Sequence, residues 1–241
     1  MKTENLLAKG IDILRQNDKK TEHLLTDDII PILNQYIKEI ELFNPAYGLV
    51  GTTDNDELII KHILDSLAPI GILIRLLSSE QDALKIADAG SGAGLPGIPL
   101  AVALPSCEFT LIERMKRRTG FLFNTKAVLS LSNVTIEESE IEKAPAGNFD
   151  LITFRAFKPL DSKLLKTLFK LCKPDGIIAA YKGRREKIEE EMKAFENNKY
   201  EIINNKKEKK KHFTELSWEI IPYSVPFLEE ERHILVIRNP K

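Results

Sequence analysis

The segment ADAGSGAGLPGIPLA, residues 87–101, is the feature that most restricts how this chain can fold. It begins within the apolar run LKIADAG, residues 84–90. It contains the pattern Gly92-x-Gly94-x-x-Gly97. Glycine raises the entropic cost of folding, so a glycine cluster is favourable only where its missing side chain is used. The segment therefore predicts a loop whose backbone lies close to a phosphate, a dinucleotide or another adenosine-bearing cofactor.

Short apolar runs alternate with helical stretches after residue 84. Five of them are strand candidates: LKIADAG, CEFTLIE, NVTIEES, FDLITFR and GIIAAYK. This alternation predicts an α/β fold, a parallel sheet with helices on both faces. The last two runs, WEIIPYS and RHILVIR, are joined by a loop too short for a crossover helix, so they predict an antiparallel hairpin at the sheet edge. A seven-stranded, mostly parallel sheet with an antiparallel last strand is the Rossmann-like fold of class I S-adenosylmethionine-dependent methyltransferases.

The composition excludes several classes of protein. Of the 241 residues, 43% are hydrophobic and 29% are charged, and the net charge is −1, so contact with nucleic acid requires a local basic patch. Cys107 and Cys172 form no CxxC pair, which argues against a zinc site and a disulfide scaffold. No apolar run approaches the ~18 residues that a membrane span needs, and the N-terminal segment is too polar for a signal peptide. We expect a cytoplasmic protein without a membrane partner or a bound metal.

The first 80 residues are predicted to be helical. We expect them to form an N-terminal extension (1–80) to a methyltransferase domain (81–241). Apolar residues at spacings of three and four mark the buried faces of two helices. They are Ile30, Leu33, Ile37 and Ile40 in one helix, and Ile59, Ile63, Leu67 and Ile70 in the other. We expect Asn44-Pro45 to break the first of these helices, and the spacing of Thr53 and Asp56 resembles a capping box at the start of the second.

Asp88 discriminates between the cofactors that a GxGxxG loop can bind. A dinucleotide fold places an acid about twenty residues after the glycines, and Glu113 stands there, so a nicotinamide-dependent oxidoreductase is a rival interpretation. However, Asp88 at the tip of the first strand would repel a pyrophosphate, which prefers bare amides at a helix N-terminus. S-adenosylmethionine carries an ammonium and a sulfonium group that suit an anion. We therefore predict this cofactor, with Gly90 and Gly92 against it and Glu113 accepting its ribose hydroxyls.

Four motifs, in order along the chain, carry a resemblance to a known family. They are KHILDSL, DAGSGAGLPGIPLA, FRAFKPL and ERHILVIR. In these motifs the chain is similar to the glucose-inhibited division protein B family, the guanine-N7 methyltransferases of 16S, or small-subunit, ribosomal RNA. The resemblance implies that Gly90 and Leu95 contact S-adenosylmethionine within the loop. It also implies that Ile141 and Glu142 hold the adenine.

The resemblance implies roles for residues outside the glycine segment as well. Arg155, in FRAF at the end of the fourth strand, corresponds to an active-site arginine, and we assign it both a catalytic and a cofactor-binding role. His62 and Asp65 have a spacing that by itself favours a surface hydrogen bond over a catalytic pair. The resemblance suggests that these two support a cleft between the N-terminal helices and the sheet. The chain departs from the family at Glu140, where members often have arginine, and in a longer lysine-rich insert at 206–211.

The residues at the strand ends narrow the choice of acceptor atom. Transfer to an exocyclic amine generally uses an Asn/Asp-Pro-Pro-aromatic tetrapeptide after the fourth strand, where this chain has FRAF. Transfer to a pyrimidine C5 needs a cysteine nucleophile, but neither Cys107 nor Cys172 is predicted at the carboxyl ends of the strands, where ligands bind. A ring nitrogen with a free lone pair, such as guanine N7, has no proton to lose. We therefore predict in-line methyl transfer, driven by alignment and without a general base.

Three basic groups are candidates for contacts with RNA phosphates. Such contacts give affinity and orientation but no choice of sequence. The groups are Arg114, Arg117 and Arg118, expected on one helix face; Lys182, Arg184 and Arg185, after the fifth strand; and the lysine run at 206–211. The lysine run is interpreted equally well as solvated charge. The expected partner is 16S ribosomal RNA or a small-subunit assembly intermediate.

Three alternative functions stay open on the residues alone. A methyltransferase of another RNA, a protein or a small molecule would bind S-adenosylmethionine but not ribosomal RNA. A nicotinamide-dependent enzyme would be stabilised by NAD and not by S-adenosylmethionine. A non-enzymatic RNA-binding module would bind RNA without binding the methyl donor.

Overall fold

Seven strands form one sheet in the computed structural model of the protein, which describes residues 2–77, 84–156, 160–197 and 216–238. The strands are β1 Lys85–Ala89, β2 Glu108–Glu113, β3 Val134–Glu138, β4 Phe149–Arg155, β5 Cys172–Lys182, β6 Trp218–Tyr223 and β7 Arg232–Arg238. Their order is β3-β2-β1-β4-β5-β7-β6. Strands β1 to β5 are parallel, and β7 is antiparallel to both β5 and β6. The predicted α/β class, the parallel sheet and the terminal hairpin with its reversed strand are confirmed.

Helices cover the N-terminal region and both faces of the sheet. They are α1 Lys2–Asn17, α2 Ile29–Tyr47, α3 Asn55–Leu58, α4 Asp65–Leu67, α5 Ile70–Leu76, α6 Gly97–Ala103, α7 Lys116–Val128, α8 Ser162–Leu171 and α9 Arg185–Asn197. A π-helical segment, Ile59–Leu64, joins α3 to α4, and single 3-10 turns lie at Lys19–Thr21 and Ile141–Lys143. None of the described helices combines the length and the apolar character of a membrane span.

The N-terminal helices share a hydrophobic core with one face of the sheet. Of the two predicted buried faces, only Ile30 is half-buried, and its neighbour Ile29 takes the buried position instead. The other members are buried in the same cluster as Leu111 of β2 and Val236 of β7. A second cluster, built mainly from α8, α9 and the opposite sheet face, covers the other side. The division of the chain at about residue 80 stays a prediction.

Two predicted helix boundaries are wrong. Helix α2 continues through Asn44-Pro45 to Tyr47 and ends at Gly48, whose φ is 59°. Pro45 lies exposed in the last turn, where the missing N–H removes a single helical hydrogen bond. The side-chain oxygen of Asn44 then accepts hydrogen bonds from the next loop. At the start of α3 the cap is Asp54, not Thr53: its carboxylate accepts a hydrogen bond of 2.7 Å from the Glu57 amide.

The sheet topology places a crevice at the carboxyl ends of β1 and β4. The chain runs from β1 to β2 and β3 on one side, and then returns to lay β4 against the other side of β1. In the resulting register, Asp88 of β1 is opposite Thr153 of β4. Ligands of open α/β sheets bind at such a switch point, outside the carboxyl ends of the strands. The glycine segment follows β1, and Arg155 ends β4, so both lie at this crevice.

Candidate functional site

The loop after β1 needs its glycines for conformation and for space. Gly90, Gly92 and Gly94 have φ values of 72°, 58° and 90°, in the left-handed region that other residues rarely adopt. A Cβ atom on Gly94 would lie 2.5 Å from the side chain of Ile98, so this glycine is required by packing. A Cβ atom on Gly92 would meet nothing closer than 3.9 Å. The backbone at Gly92 is therefore open to the approach of a ligand.

Tyr36 supports this loop from helix α2. The Tyr36 side chain is fully buried, and its hydroxyl donates a hydrogen bond of 2.7 Å to the Ala93 carbonyl. Burial raises the pKa of Tyr36 well above its ordinary value, so the hydroxyl stays protonated and acts as the donor. The N-terminal helices therefore fix the backbone of the glycine loop directly. Sequence reasoning missed Tyr36, although its place beside Leu33 and Ile37 marks it as a buried polar residue of that helix face.

Asp88 is buried with half of its carboxylate unsatisfied. Its side chain is 1% exposed; Oδ2 accepts a hydrogen bond of 3.0 Å from the Gly97 amide at the start of α6. Oδ1 is also buried and has no hydrogen-bond partner among the described residues. Burial raises the pKa of Asp88 to about 7, opposed by the hydrogen bond from Gly97. A carboxylate left in this state would gain from a positively charged group placed beside Oδ1.

Glu113, the last residue of β2, is held rigidly beside the same loop. The side chain is 5% exposed. Oε2 accepts from the Gly92 amide at 3.0 Å, and Oε1 accepts from the Met115 amide at 2.8 Å. The Arg118 guanidinium lies 3.8 Å from Oε2. Because each carboxylate oxygen has a second lone pair, both oxygens can still accept one further hydrogen bond.

The loop after β3 lies beside the end of β2. The Ser139 amide donates a hydrogen bond of 3.1 Å to the Glu113 carbonyl, which ties the two loops together. Ile141 is 4% exposed in the 3-10 turn, whereas Glu142 is exposed. Leu95, in the glycine segment, is buried. Glu140, the departure from the family pattern, forms an ion pair of 3.2 Å with Lys143.

Arg155 is bound to the π-helical segment by several hydrogen bonds. Nη1 donates to Oδ2 of Asp65 at 3.1 Å and to the backbone carbonyls of Lys61 and His62 at 3.2 and 3.4 Å. Nη2 lies 3.1 Å from Nδ1 of His62. The guanidinium therefore joins the end of β4 to the N-terminal helices. This anchoring leaves Nε and the remaining N–H bonds as the donors for other groups.

Asp65 is a buried acceptor shared by two arginines. Its side chain is 3% exposed, so the expectation of a surface hydrogen bond is wrong. In addition to Arg155, it accepts from the Tyr223 hydroxyl at 2.9 Å, and Arg232 lies 3.4 Å away. Two guanidinium groups compensate the burial of one carboxylate, which would otherwise be strongly unfavourable. Asp65 and His62 bind Arg155 at the end of β4 and line the adjacent cavity, which agrees with the expectation that they support a cleft between the N-terminal helices and the sheet.

A cavity of about 670 Å³ opens next to this network. The π-helical segment, the ends of β4 and β5, and residues of the β6–β7 hairpin line it; they include His62, Asp65, Arg155 and Arg232. Arg232 belongs to the motif RHILVIR, but the sequence did not predict a role for this arginine. Only the antiparallel placement of β7 brings that arginine to Asp65. In the described ranges there is no group of three or more His, Cys, Asp or Glu side chains suited to a metal ion.

The first predicted RNA-binding group is divided by the structure. Helix α7 begins at Lys116, with Met115 as its N-cap, so Arg114 precedes the helix and the expectation of one shared helix face is wrong. Arg117 is exposed, and its guanidinium lies 5.7 Å from the centre of the Tyr47 ring. Arg118 lies instead against Glu113, next to the glycine loop.

The second predicted RNA-binding group is partly neutralised by acids. Lys182 forms an ion pair of 2.6 Å with Glu191, and both side chains are about one-fifth exposed. Arg185 pairs with Glu189 at 2.8 Å. Arg184 is exposed. The lysine run at 206–211 lies outside the described residues.

Residues 29–218 match the family model GidB, described as rRNA small subunit methyltransferase G. The chain belongs to this family. The ribosomal RNA small subunit methyltransferase G of Treponema denticola is 39% identical, over 99% of this chain and 95% of its own length. The enzyme of the same name from Nitrosococcus oceani is 33% identical, over 98% and 94%.

A solved structure shares the fold of this chain. A SAM-dependent methyltransferase from Aquifex aeolicus superimposes with a TM-score of 0.50 at 15% sequence identity, over 85% of this chain and 96% of the other. At that identity the likeness concerns the fold. The family resemblance found in the motifs is confirmed, and with it the methyltransferase class and the use of S-adenosylmethionine as cofactor.

Proposed function

We propose that the protein transfers a methyl group from S-adenosylmethionine to N7 of a guanine in 16S ribosomal RNA, in the cytoplasm. The observation that carries the proposal is the match to the small-subunit rRNA methyltransferase G family over residues 29–218. The substrate is the RNA itself or a small-subunit assembly intermediate. The choice of N7 rests on the groups that surround the cavity at the end of β4.

Three features of the loops after β1 and β2 fit S-adenosylmethionine. The buried, unpartnered Oδ1 of Asp88 suits the ammonium group of the cofactor. The backbone at Gly92, where a Cβ atom would meet nothing closer than 3.9 Å, allows the close approach of the cofactor, and Gly90 contributes the left-handed turn that precedes it. The fixed carboxylate of Glu113 has one free lone pair on each oxygen for the two ribose hydroxyls. When bound, the cofactor supplies the methyl group and its own leaving group.

Apolar side chains complete the proposed cofactor site. Leu95 and Ile141 are buried beside the loops that hold Gly92 and Glu113, and we assign them to the adenosine moiety together with Glu142. Arg155 contributes to the cofactor site through the N–H bonds that the π-helical segment leaves free.

The groups around the cavity favour an acceptor that needs no general base. Among its described lining residues Asp65 is the one carboxylate, and its two oxygens are engaged by Arg155, Tyr223 and Arg232. The Nδ1 lone pair of His62 is directed to Arg155. The two cysteines are buried away from the carboxyl ends of the strands, Cys107 before β2 and Cys172 at the start of β5. Guanine N7 has a lone pair and no proton, so alignment alone can contribute ~7–11 kcal/mol to the transfer.

The proposed RNA surface consists of exposed arginines that follow the carboxyl ends of β2 and β5. Arg114, Arg117 and Arg184 are exposed, and we assign them to phosphate contacts. Lys182 and Arg185 have acidic partners. Either residue must break its ion pair before it can contact RNA. These contacts position the RNA, whereas the choice of base belongs to the cavity.

Chemical cleavage at 7-methylguanosine, followed by primer extension, tests the proposal on ribosomal RNA from cells with and without the gene. We expect one gene-dependent cleavage site in 16S RNA. The Arg155→Lys variant keeps a cation beside Asp65 but loses the multiple donors of the guanidinium, so it should restore the site poorly in such cells. Arg238→Lys, at an exposed arginine of β7 that pairs with Glu219, is the matched control and should restore the site. A gene-dependent methyl group on an exocyclic amine, a C5 carbon or a ribose hydroxyl would contradict the proposal.

A further inference from the structure

His62 has one ring nitrogen engaged and one available. Arginine has donors but no acceptor, so the contact between Arg155 Nη2 and His62 Nδ1 requires Nδ1 to accept. The proton of the neutral ring is therefore on Nε2. Burial, and then the neighbouring Arg155, lower the pKa of His62 to about 4. The ring is thus a neutral Nε2–H donor at physiological pH, and among the described residues the hydrogen bond of the ring is the one that joins Nδ1 to Arg155.

The other polar side chains that line the cavity already have partners. The Tyr181 hydroxyl donates to the Ser66 carbonyl at 2.8 Å, and that of Tyr223 donates to Asp65. Lys61 and Lys182 form ion pairs with Glu57 and Glu191, at 2.9 and 2.6 Å. Among the described residues that line this cavity, His62 therefore offers the unpartnered neutral donor. The cavity volume of about 670 Å³ lies in the range of pockets that hold one small ligand.

We infer that His62 recognises the acceptor guanine by donating a hydrogen bond from Nε2–H to O6. This inference rests on the proposed function and adds the residue that selects the base. Guanine presents N7 and O6 as adjacent acceptors, whereas adenine presents an N6 amino donor in place of O6. A donor at O6 admits guanine and rejects adenine, because two donors would face each other in the adenine complex. It also leaves the N7 lone pair free for the methyl group.

Two substitutions of His62 separate base recognition from the support of Arg155. His62→Asn places an amide near Nδ1, so it keeps an acceptor for Arg155 but loses the donor at Nε2. His62→Gln places its amide near Nε2, so it keeps the donor and loses the acceptor. Both variants are compared in single-turnover methylation of 16S RNA from cells lacking the gene, with S-adenosylmethionine saturating. The dissociation constant of S-adenosylmethionine is measured for each variant separately by calorimetry.

The methylation activity of His62→Asn relative to that of His62→Gln tests the inference. We expect His62→Asn to lower kcat/KM for the RNA by roughly 5- to 150-fold, and His62→Gln to stay within about fivefold of the parent. We expect the affinity of both for the cofactor to stay unchanged. The reverse order, with Asn active and Gln impaired, would show that His62 only supports Arg155 and would overturn the inference while the proposed function stands. A parent protein that forms no 7-methylguanosine would overturn both.

Discussion

The ionisation of Asp88 should make cofactor binding depend on pH. In the cofactor-free protein, burial raises the pKa of this carboxyl to about 7, whereas the proposed contact with an ammonium group requires the ionised form. The affinity is then proportional to the ionised fraction, so it should rise roughly tenfold for each pH unit below 7 and level off above it. The α-amino group of the cofactor, with an ordinary pKa of about 7.7–8.0, stays protonated over that range.

Isothermal titration calorimetry between pH 5 and 7, in buffers of different ionisation enthalpy, measures both the affinity and the protons released. We expect the release of close to one proton at pH 6. Asp88→Asn keeps an oxygen for the Gly97 amide, so the fold should persist. It should bind about 10- to 150-fold more weakly at pH 7, with no proton release. Glu113→Gln is the matched control: it should bind more weakly and keep the pH dependence.

The Asp88 carboxyl also makes the stability of the cofactor-free protein depend on pH, and the direction of that dependence can be measured. The folded pKa of Asp88 lies above the unfolded value of 3.8, so the folded state binds more protons and stability falls as pH rises from about 4 to 7, by about 4 kcal/mol. His62 acts oppositely. Its folded pKa of about 4 lies below 6.5, so stability rises with pH across that window, by about 3 kcal/mol. Asp88→Asn should therefore reveal a rising stability between pH 4 and 6.5 in urea unfolding. A variant with the parent's pH profile, in binding and in unfolding, would refute this account of Asp88.

Three further predictions concern the supports of the site. Tyr36→Phe, which leaves the carbonyl it binds unsatisfied, should lower the free energy of unfolding by about 1–3 kcal/mol, whereas Tyr47→Phe should change it little; equal effects in urea unfolding would contradict the role of the first hydroxyl. Asp65→Ala leaves two half-buried arginines without their carboxylate and should lower the free energy of unfolding by about 3 kcal/mol, measured by urea unfolding; a loss under 1 kcal/mol would show that water replaces the carboxylate. The double variant Arg117→Ala/Arg184→Ala should reduce the log–log salt slope of RNA binding by roughly 0.7–0.9 per lost contact and spare cofactor binding; an unchanged slope would place the RNA elsewhere.

The sequence predicted those parts of the site whose signals are local. Asp88 and the glycines share one short segment after an apolar run, so their place at the end of β1 followed from the alternation of strands and helices. Glu113 ends the next strand and therefore reaches the same edge of the sheet. The hairpin of β6 and β7 followed from the short loop between them.

Long-range partners could not be predicted in the same way. Nothing near Asp65 in the sequence indicates that Arg155 and Arg232 converge on it, because the three residues meet only through the order of the strands. The ion pair of Lys182 with Glu191 depends on how α9 packs, and charge counting treated this lysine as free. The start of α7 at Lys116 moved Arg114 off a helix face, since a spacing alone does not fix where a helix begins.

The position of β7 inside the sheet sets the order in which a growing chain can complete this cleft. Asp65 is 90 positions from Arg155 and 158 positions from Tyr223, which belongs to the last hairpin. At roughly 5–20 residues per second, the ribosome needs on the order of ten seconds to add that second partner after Asp65 has been made. Until the hairpin pairs with β5, the carboxylate lacks half of its compensation and β5 presents an open edge. The site is therefore completed in two stages: Arg155 can reach Asp65 before the hairpin exists, whereas Arg232 and Tyr223 reach it only after β7 has paired with β5.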